Sequence, residues 1–132
     1  MNWNESTRLA LVAAVEMAQA GEGRVTAADL ARRHRASGHH VAKVLQRLAR
    51  AGLARAARGV GGGYRLARPS REVTLYQIVE LFESRVRARA RRRRRKPPSE
   101  TAEASVRRVL AELEDQALFT LQSIRLSTLA GR

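Results

Sequence analysis

Residues 26–68 read TAADLARRHRASGHHVAKVLQRLARAGLARAARGVGGGYRLAR. Thr26 and Asp29 form a capping-box-like start, with Asp where Glu is usual, to a short helix ending near His34. A tight connection through Arg35 and Ala36 leads to Ser37. Ser37 can cap a second helix that stops at Gly52. Val41, Leu45 and Leu48 share one face of that helix, with Val44 beside them. A short helix, a turn of three or four residues and a capped longer helix make the helix-turn-helix pattern. Residues 53–57 and 64–68 are strand candidates, joined by the run RGVGGG. Two short strands with a Gly-rich turn predict a hairpin. A hairpin directly after a recognition helix is a wing, and Pro69 ends its second strand.

Working outward, residues 6–20 predict a helix capped by Ser6 and stopped by Gly21, with Leu9, Val12, Ala13 and Met17 in one stripe. Thr74 and Gln77 make a capping box opening a helix to about residue 84, with Ile78, Val79, Leu81 and Phe82 as its apolar side. Nine basic residues lie between Arg85 and Lys96. Charge at that density disfavours ordered packing, and Pro97 and Pro98 block a continuous helix. A long helix is expected from Ser99, as its cap, to about residue 128. Val106, Leu110, Leu113, Ala117, Leu121 and Ile124 recur at near-heptad spacing, with Leu118 and Phe119 widening the face. Such a helix needs a partner, and a second copy of itself is the simplest one. The expected fold is mainly α with a small β-hairpin wing. Its divisions are a winged helix-turn-helix DNA-binding domain over 1–84, an Arg-rich flexible linker over 85–98 and a dimerisation helix over 99–132.

The formal net charge of this 132-residue chain is +14. Such a surplus calls for a polyanion, nucleic acid ahead of an anionic membrane surface. A general Arg bias accounts for part of it. Aromatic residues are only 4% of the chain, so the core rests on Ala, Val and Leu, and association commonly supplements a thin core. The chain has no cysteine, which excludes disulfides, thiol redox sensing and thiolate-bound metal. No run of about 18 apolar residues is present, and the N-terminus lacks a basic n-region. The expected location is the cytoplasm, at the nucleoid.

The candidate DNA-binding residues follow from this layout. Ser37, His39, His40 and Lys43 stand at the start of the second helix, where recognition helices meet base edges. Arg47, one turn onward, suits the DNA backbone. Arg58 opens the hairpin loop and suits a minor groove. Gly61, Gly62 and Gly63 permit a tight turn and close approach, and Tyr64 and Arg65 complete the surface. A nucleotide-binding reading of the Gly run fails because no Gly-Lys-Ser/Thr opens a helix after it. His39 and His40 are adjacent on a helix and point apart, and His34 lies on another element, so no metal site is expected. No nucleophile or paired carboxylate suggests an enzyme.

Residues 28–83, and most specifically LARAARGVGGGYRLAR, resemble the Rrf-two family of IscR-, NsrR- and CymR-type regulators. The likeness runs from about Leu9 to Phe82. It implies a homodimer of winged helices with a long C-terminal dimerisation helix, binding a palindromic operator, usually in repression. Val60 stands where the family's wing carries proline. Ala42 stands where some members have an acidic base reader. Cluster-binding relatives place three cysteines between Phe82 and the long helix, where this chain has RVRARARRRRRKPPSE. Neither an iron–sulfur cluster nor any other cofactor is therefore expected. Glu5, where some relatives supply an oxygen ligand, reads as a helix-start acid. A regulatory partner protein or small-molecule effector near 85–105 is a further expectation. The alternative function is a nonspecific nucleoid-associated or RNA-binding protein dominated by the arginine run.

Overall fold

A computed structural model describes residues 2–92 and 101–131. Helix α1, Glu5–Ala20, is the central post, with Leu9, Ala10, Ala13, Ala14 and Met17 buried along it. Its cap is Asn4 rather than Ser6: Asn4 Oδ1 accepts from the Thr7 amide at 2.8 Å. The Ser6 hydroxyl is instead within 2.8 Å of His40 Nε2. Gly21, at φ 59°, ends the helix. Helix α2, Ala27–His34, is capped by Thr26, whose Oγ1 accepts from the Asp29 amide at 3.1 Å. Helix α3, Gly38–Arg50, follows after a three-residue turn and buries Val41, Val44, Leu45 and Leu48. Strands β1, Ala54–Ala56, and β2, Tyr64–Leu66, pair antiparallel with Arg55 opposite Arg65. A 3-10 turn at Ser70–Glu72 leads into helix α4, Leu75–Phe82. Its capping box is complete: the Thr74 amide donates to Gln77 Oε1 at 2.9 Å, and the Gln77 amide to Thr74 Oγ1 at 3.2 Å.

The chain departs from the sequence reading after Phe82. Residues 84–92 are not a flexible linker but helix α5, Ser84–Arg92. Val86 is buried against Val79 and Leu118. Arg89 donates to Asp115 Oδ1 and to Glu114 Oε2, each at 2.6 Å. Carboxylates far along the chain thus neutralise part of the charge that argued for disorder. The remainder of the arginine run from residue 93, with Pro97, Pro98 and the expected cap Ser99, lies outside the described residues.

Helix α6, Ala102–Ser123, is capped by Thr101, whose Oγ1 accepts from the Ala104 amide at 3.1 Å. It does not continue to residue 128. Ile124 is extended, and residues 124–126 pair with 73–75: the Leu75 amide donates to Ile124 O at 3.0 Å and the Leu126 amide to Val73 O at 2.9 Å. Helix α7, Leu126–Ala130, then lies against α1. Leu126 is 0% exposed in the same core as Leu9, Met17 and Leu45, and Ile124 and Leu121 pack on that core. Full burial of one leucine contributes about 1.5–3 kcal/mol. That gain favours a break that seats Ile124 and Leu126 over one further turn of exposed helix. The C-terminal segment is therefore fastened to the core that α1, α3 and α4 build.

A buried carboxylate makes a second fastening. Glu83, 5% exposed, accepts from Thr7 Oγ1 at 2.6 Å and from the Asn4 amide at 2.8 Å. Asn4 Nδ2 donates to Phe82 O at 2.7 Å. The start of α1 is so joined to the end of α4, and Trp3 lies 5.1 Å from the Arg85 guanidinium. Among the described residues no helix is long and apolar enough to cross a membrane.

Candidate nucleic-acid interface

The rotation of α3 is set by its buried face. Val41, Val44, Leu45 and Leu48 face the core. At 100° per residue, His39, Lys43, Gln46 and Arg50 then fall on one opposite stripe, and all four are exposed. The helix start is ordered by Ser37, whose Oγ accepts from the His40 amide at 3.3 Å. First-turn amides beyond that cap are available to an anion.

The turn preceding α3 carries a local cost. Arg35 caps α2 in the left-handed conformation, φ 52°, the only non-glycine residue at positive φ among the described residues. The Ala36 amide closes the turn on Ala31 O at 2.9 Å. A side chain in this conformation costs about 1–2 kcal/mol. Arg35→Gly is therefore expected to raise the denaturant midpoint by about 1 kcal/mol equivalent, part of the relief being offset by glycine's greater unfolded-state freedom. An unchanged or lower midpoint would show that other Arg35 contacts outweigh the backbone term.

The predicted residues divide by their surroundings. Ser37, His39, Lys43, Arg58 and Gly61 are exposed. His40 is half-buried on Ser6 and acts as a tie between α3 and α1. Arg47 is exposed but held, its guanidinium 5.2 Å above the Phe82 ring. Tyr64 is half-buried and packs on the core, so its side chain is an anchor for the wing. Arg65 is half-buried, and its Nε lacks a hydrogen-bond partner. Its strand neighbour is Arg55, and like charges directly opposite destabilise a ladder unless an anion lies between them. His34 pairs with Glu16, Nε2 to Oε2 at 2.7 Å, and Arg33 joins the same carboxylate at 2.8 Å.

Sequence reasoning missed Gln46, Arg50 and Arg24. The first two were legible, because they lie seven and eleven residues after His39 on the same stripe. Arg24 was not. It precedes α2 and reaches the wing 34 residues onward, donating to Arg58 O at 3.5 Å and, more closely, to Val60 O. The loop between the strands needs its glycines: Gly59, Gly61, Gly62 and Gly63 all have positive φ, from 62° to 131°. The Val25 amide donates to Tyr64 O and the Tyr64 amide to Val25 O, both at 2.8 Å, so the chain before α2 borders the hairpin.

Two helix-start acids have lowered pKa values for local reasons. Glu5 at the start of α1 is held down first by its hydrogen bond from Arg8. Asp29 is held down first by the Thr26 hydroxyl and then by Arg32. Both are already engaged by neighbours.

A capped helix on a fixed axis, a hairpin beside it and a long C-terminal helix make a winged helix-turn-helix fold, and the family and relatives that match it are transcription regulators. The family model for Rrf2, described as iron-dependent transcriptional regulator, matches residues 3–132. The chain belongs to the Rrf2 family. It is similar to the HTH-type transcriptional regulator BadM of Rhodopseudomonas palustris, 35% identical over 131 residues, 98% of this chain and 81% of that protein. It is also similar to the HTH-type transcriptional regulator IscR of Cereibacter sphaeroides, 37% identical over 91 residues, 67% of this chain and 59% of that one. In fold it is similar to the oxidized form of Staphylococcus aureus CymR, with a TM-score of 0.81 at 23% identity, covering 100% of this chain and 98% of that one. B. subtilis CymR gives a TM-score of 0.77 at 24% identity, covering 99% and 97%.

The iron in the family's description does not fit the donors present here. The chain holds no cysteine. Arg85, Arg87 and Arg89 stand on α5, and Arg89 is joined to two carboxylates of α6. Among the described residues no three His, Asp or Glu side chains converge. Guanidinium groups donate hydrogen bonds and repel a cation, so α5 is the wrong chemistry for a metal ligand set.

Proposed function

We propose that the protein is a homodimeric, sequence-specific repressor of a palindromic operator, working without an iron–sulfur cluster. The observation that carries this reading is an exposed stripe on α6. Val106, Val109, Leu110 and Leu113 are 55–61% exposed, and Ala117 continues the same face. The opposite face holds Leu118, Asp115 and Ala111 against α4 and α5. Contiguous apolar surface of this kind marks an association site, and a twofold pairing of α6 is its simplest occupant. The expected seam thereby changes membership: Leu121 and Ile124 belong to the chain's own core, and Val109 joins the stripe.

In the dimer, two α3 helices enter successive major grooves and the wings flank them. Lys43 suits a guanine edge or a phosphate, Gln46 pairs in two-point fashion with adenine, and Arg58 suits a minor groove. Arg55 and Arg65 contact phosphates and supply nonspecific affinity. Repression follows from occupying a promoter, and the α5–α6 region is the place where an effector or partner would act.

Selection of binding sites from random duplexes tests the reading. The expected result is a two-half-site consensus with a preference over random DNA of at least about 10³ at fixed salt. Lys43→Ala combined with Gln46→Ala is expected to lower consensus affinity by about 10- to 100-fold, with a smaller loss on random duplex. Equal affinity for all sequences would instead establish the nonspecific nucleoid or RNA-binding alternative. A reporter that rises on addition of the protein would overturn repression.

A further inference from the structure

We infer that Arg24 is a positioning residue for the wing, a strut that sets where the hairpin tip stands relative to α3. The inference rests on the reading above for its effect on DNA, but its geometry stands in the free protein. Three observations converge on it. The Arg24 guanidinium donates to the carbonyls of Arg58 and Val60 on the wing loop. Two of the wing glycines are shaped around it. A Cβ at Gly59 would lie 2.9 Å from Arg24 Nη1, and one at Gly63 would lie 3.2 Å from Arg24 Cδ and 3.2 Å from Val25 O. The backbone beneath Arg24 is fixed to β2 by the paired Val25 and Tyr64 hydrogen bonds. Gly59 and Gly63 thus serve two purposes: they supply positive φ, and they leave room for an arginine side chain.

The physical need for a strut is plain at the tip. Residues 57–63 contain four glycines, and ordering glycine costs more backbone entropy than any other residue. Val60 is 94% exposed and packs on nothing. Within the loop, the hydrogen bonds from Ala57 N to Gly63 O at 2.7 Å and from Gly62 N to Gly59 O at 3.2 Å close it locally. They do not fix its angle to the body. Arg24 does so from outside the hairpin, and no proline at position 60 shares the task. Arg58, whose own carbonyl Arg24 grips, is then delivered to the DNA in a fixed direction.

The test compares wild type, Arg24→Ala, Arg58→Ala and the double variant. In the free protein, Arg24→Ala is expected to speed amide exchange of residues 57–63 by about tenfold. Exchange in α1 and α3 and the melting midpoint stay unchanged, because Arg24 is exposed. Wing exchange equal to wild type overturns the inference, as does faster exchange throughout the domain. On the selected operator, each single variant weakens binding by about five- to tenfold. The double variant is no worse than Arg58→Ala, because both act through one element. Multiplied losses would mean that Arg24 touches DNA by itself and would also overturn the inference. Introducing Val60→Pro into Arg24→Ala, which fixes φ at the tip, is expected to recover part of the loss; no recovery of exchange protection counts against the strut. A wild-type protein with no preferred operator defeats the DNA reading alone, since wing exchange still decides the strut.

Discussion

Replacing Leu110 and Leu113 together by glutamate is expected to turn a dimer into a monomer and to lower operator affinity by about 10²–10⁴-fold. The size follows from linkage. When two α3 helices belong to one dimer, the second half-site is met at an effective concentration set by the joint, and a monomer loses that advantage. Four like charges would face each other across a twofold α6 pair, where desolvation of even one is costly. Both positions are more than half exposed in the single chain, so the substitution leaves the intramolecular core untouched. Light scattering after size exclusion and titration with one and two half-sites provide the measurements. Affinity for an isolated half-site should change little. A double variant that remains dimeric would place the interface elsewhere and remove the main support for the proposed architecture.

Leu45→Ala is the second large effect, this time on stability. Leu45 is 0% exposed and sits among Val41, Leu48 and residues of α1. Truncating a buried leucine costs about 2–5 kcal/mol, partly as lost transfer energy and partly as an unfilled cavity. Domains of this size hold about 5–15 kcal/mol in all. With few aromatic side chains to slide into the space, the loss should fall toward the upper end. Chemical denaturation would register it as a lower midpoint at unchanged slope. DNA binding should fall in proportion to the unfolded fraction. A cost below about 1 kcal/mol would mean that the helix is not docked through this residue.

Much of the site was legible from local chemistry. Thr26, Ser37 and Thr74 were read as caps from their side chains alone, and each makes the expected hydrogen bond. The buried face of α3, and Leu9, Ala13 and Met17 on α1, follow from a 3.6-residue period, whereas Val12 of the expected stripe lies outside the core. The wing follows from strand-forming residues around glycines that must take positive φ. These signals are short-range, so a reading of neighbours along the chain reaches them. The cap of α1 was misplaced by two residues because Asn4 and Ser6 are both good caps. The choice between them is made by Glu83, which holds the Asn4 amide from the far end of α4.

The long-range decisions escaped the sequence for one reason: each depends on which distant group arrives. Nine basic residues read as a linker, yet Arg89 becomes part of a helix because Glu114 and Asp115 stand opposite it. A heptad-like pattern read as one continuous seam, yet its last two members turn inward where Val73 and Leu75 offer free backbone groups to residues 124–126. His40 and Tyr64 looked available and are held by Ser6 and the core. Periodicity and capping chemistry alone determined that this chain builds a helix-turn-helix with a wing. Tertiary structure alone decided which cations stay free, where α6 ends and what steadies the hairpin, because side-chain neutralisation and backbone pairing are settled by proximity in space, not along the chain.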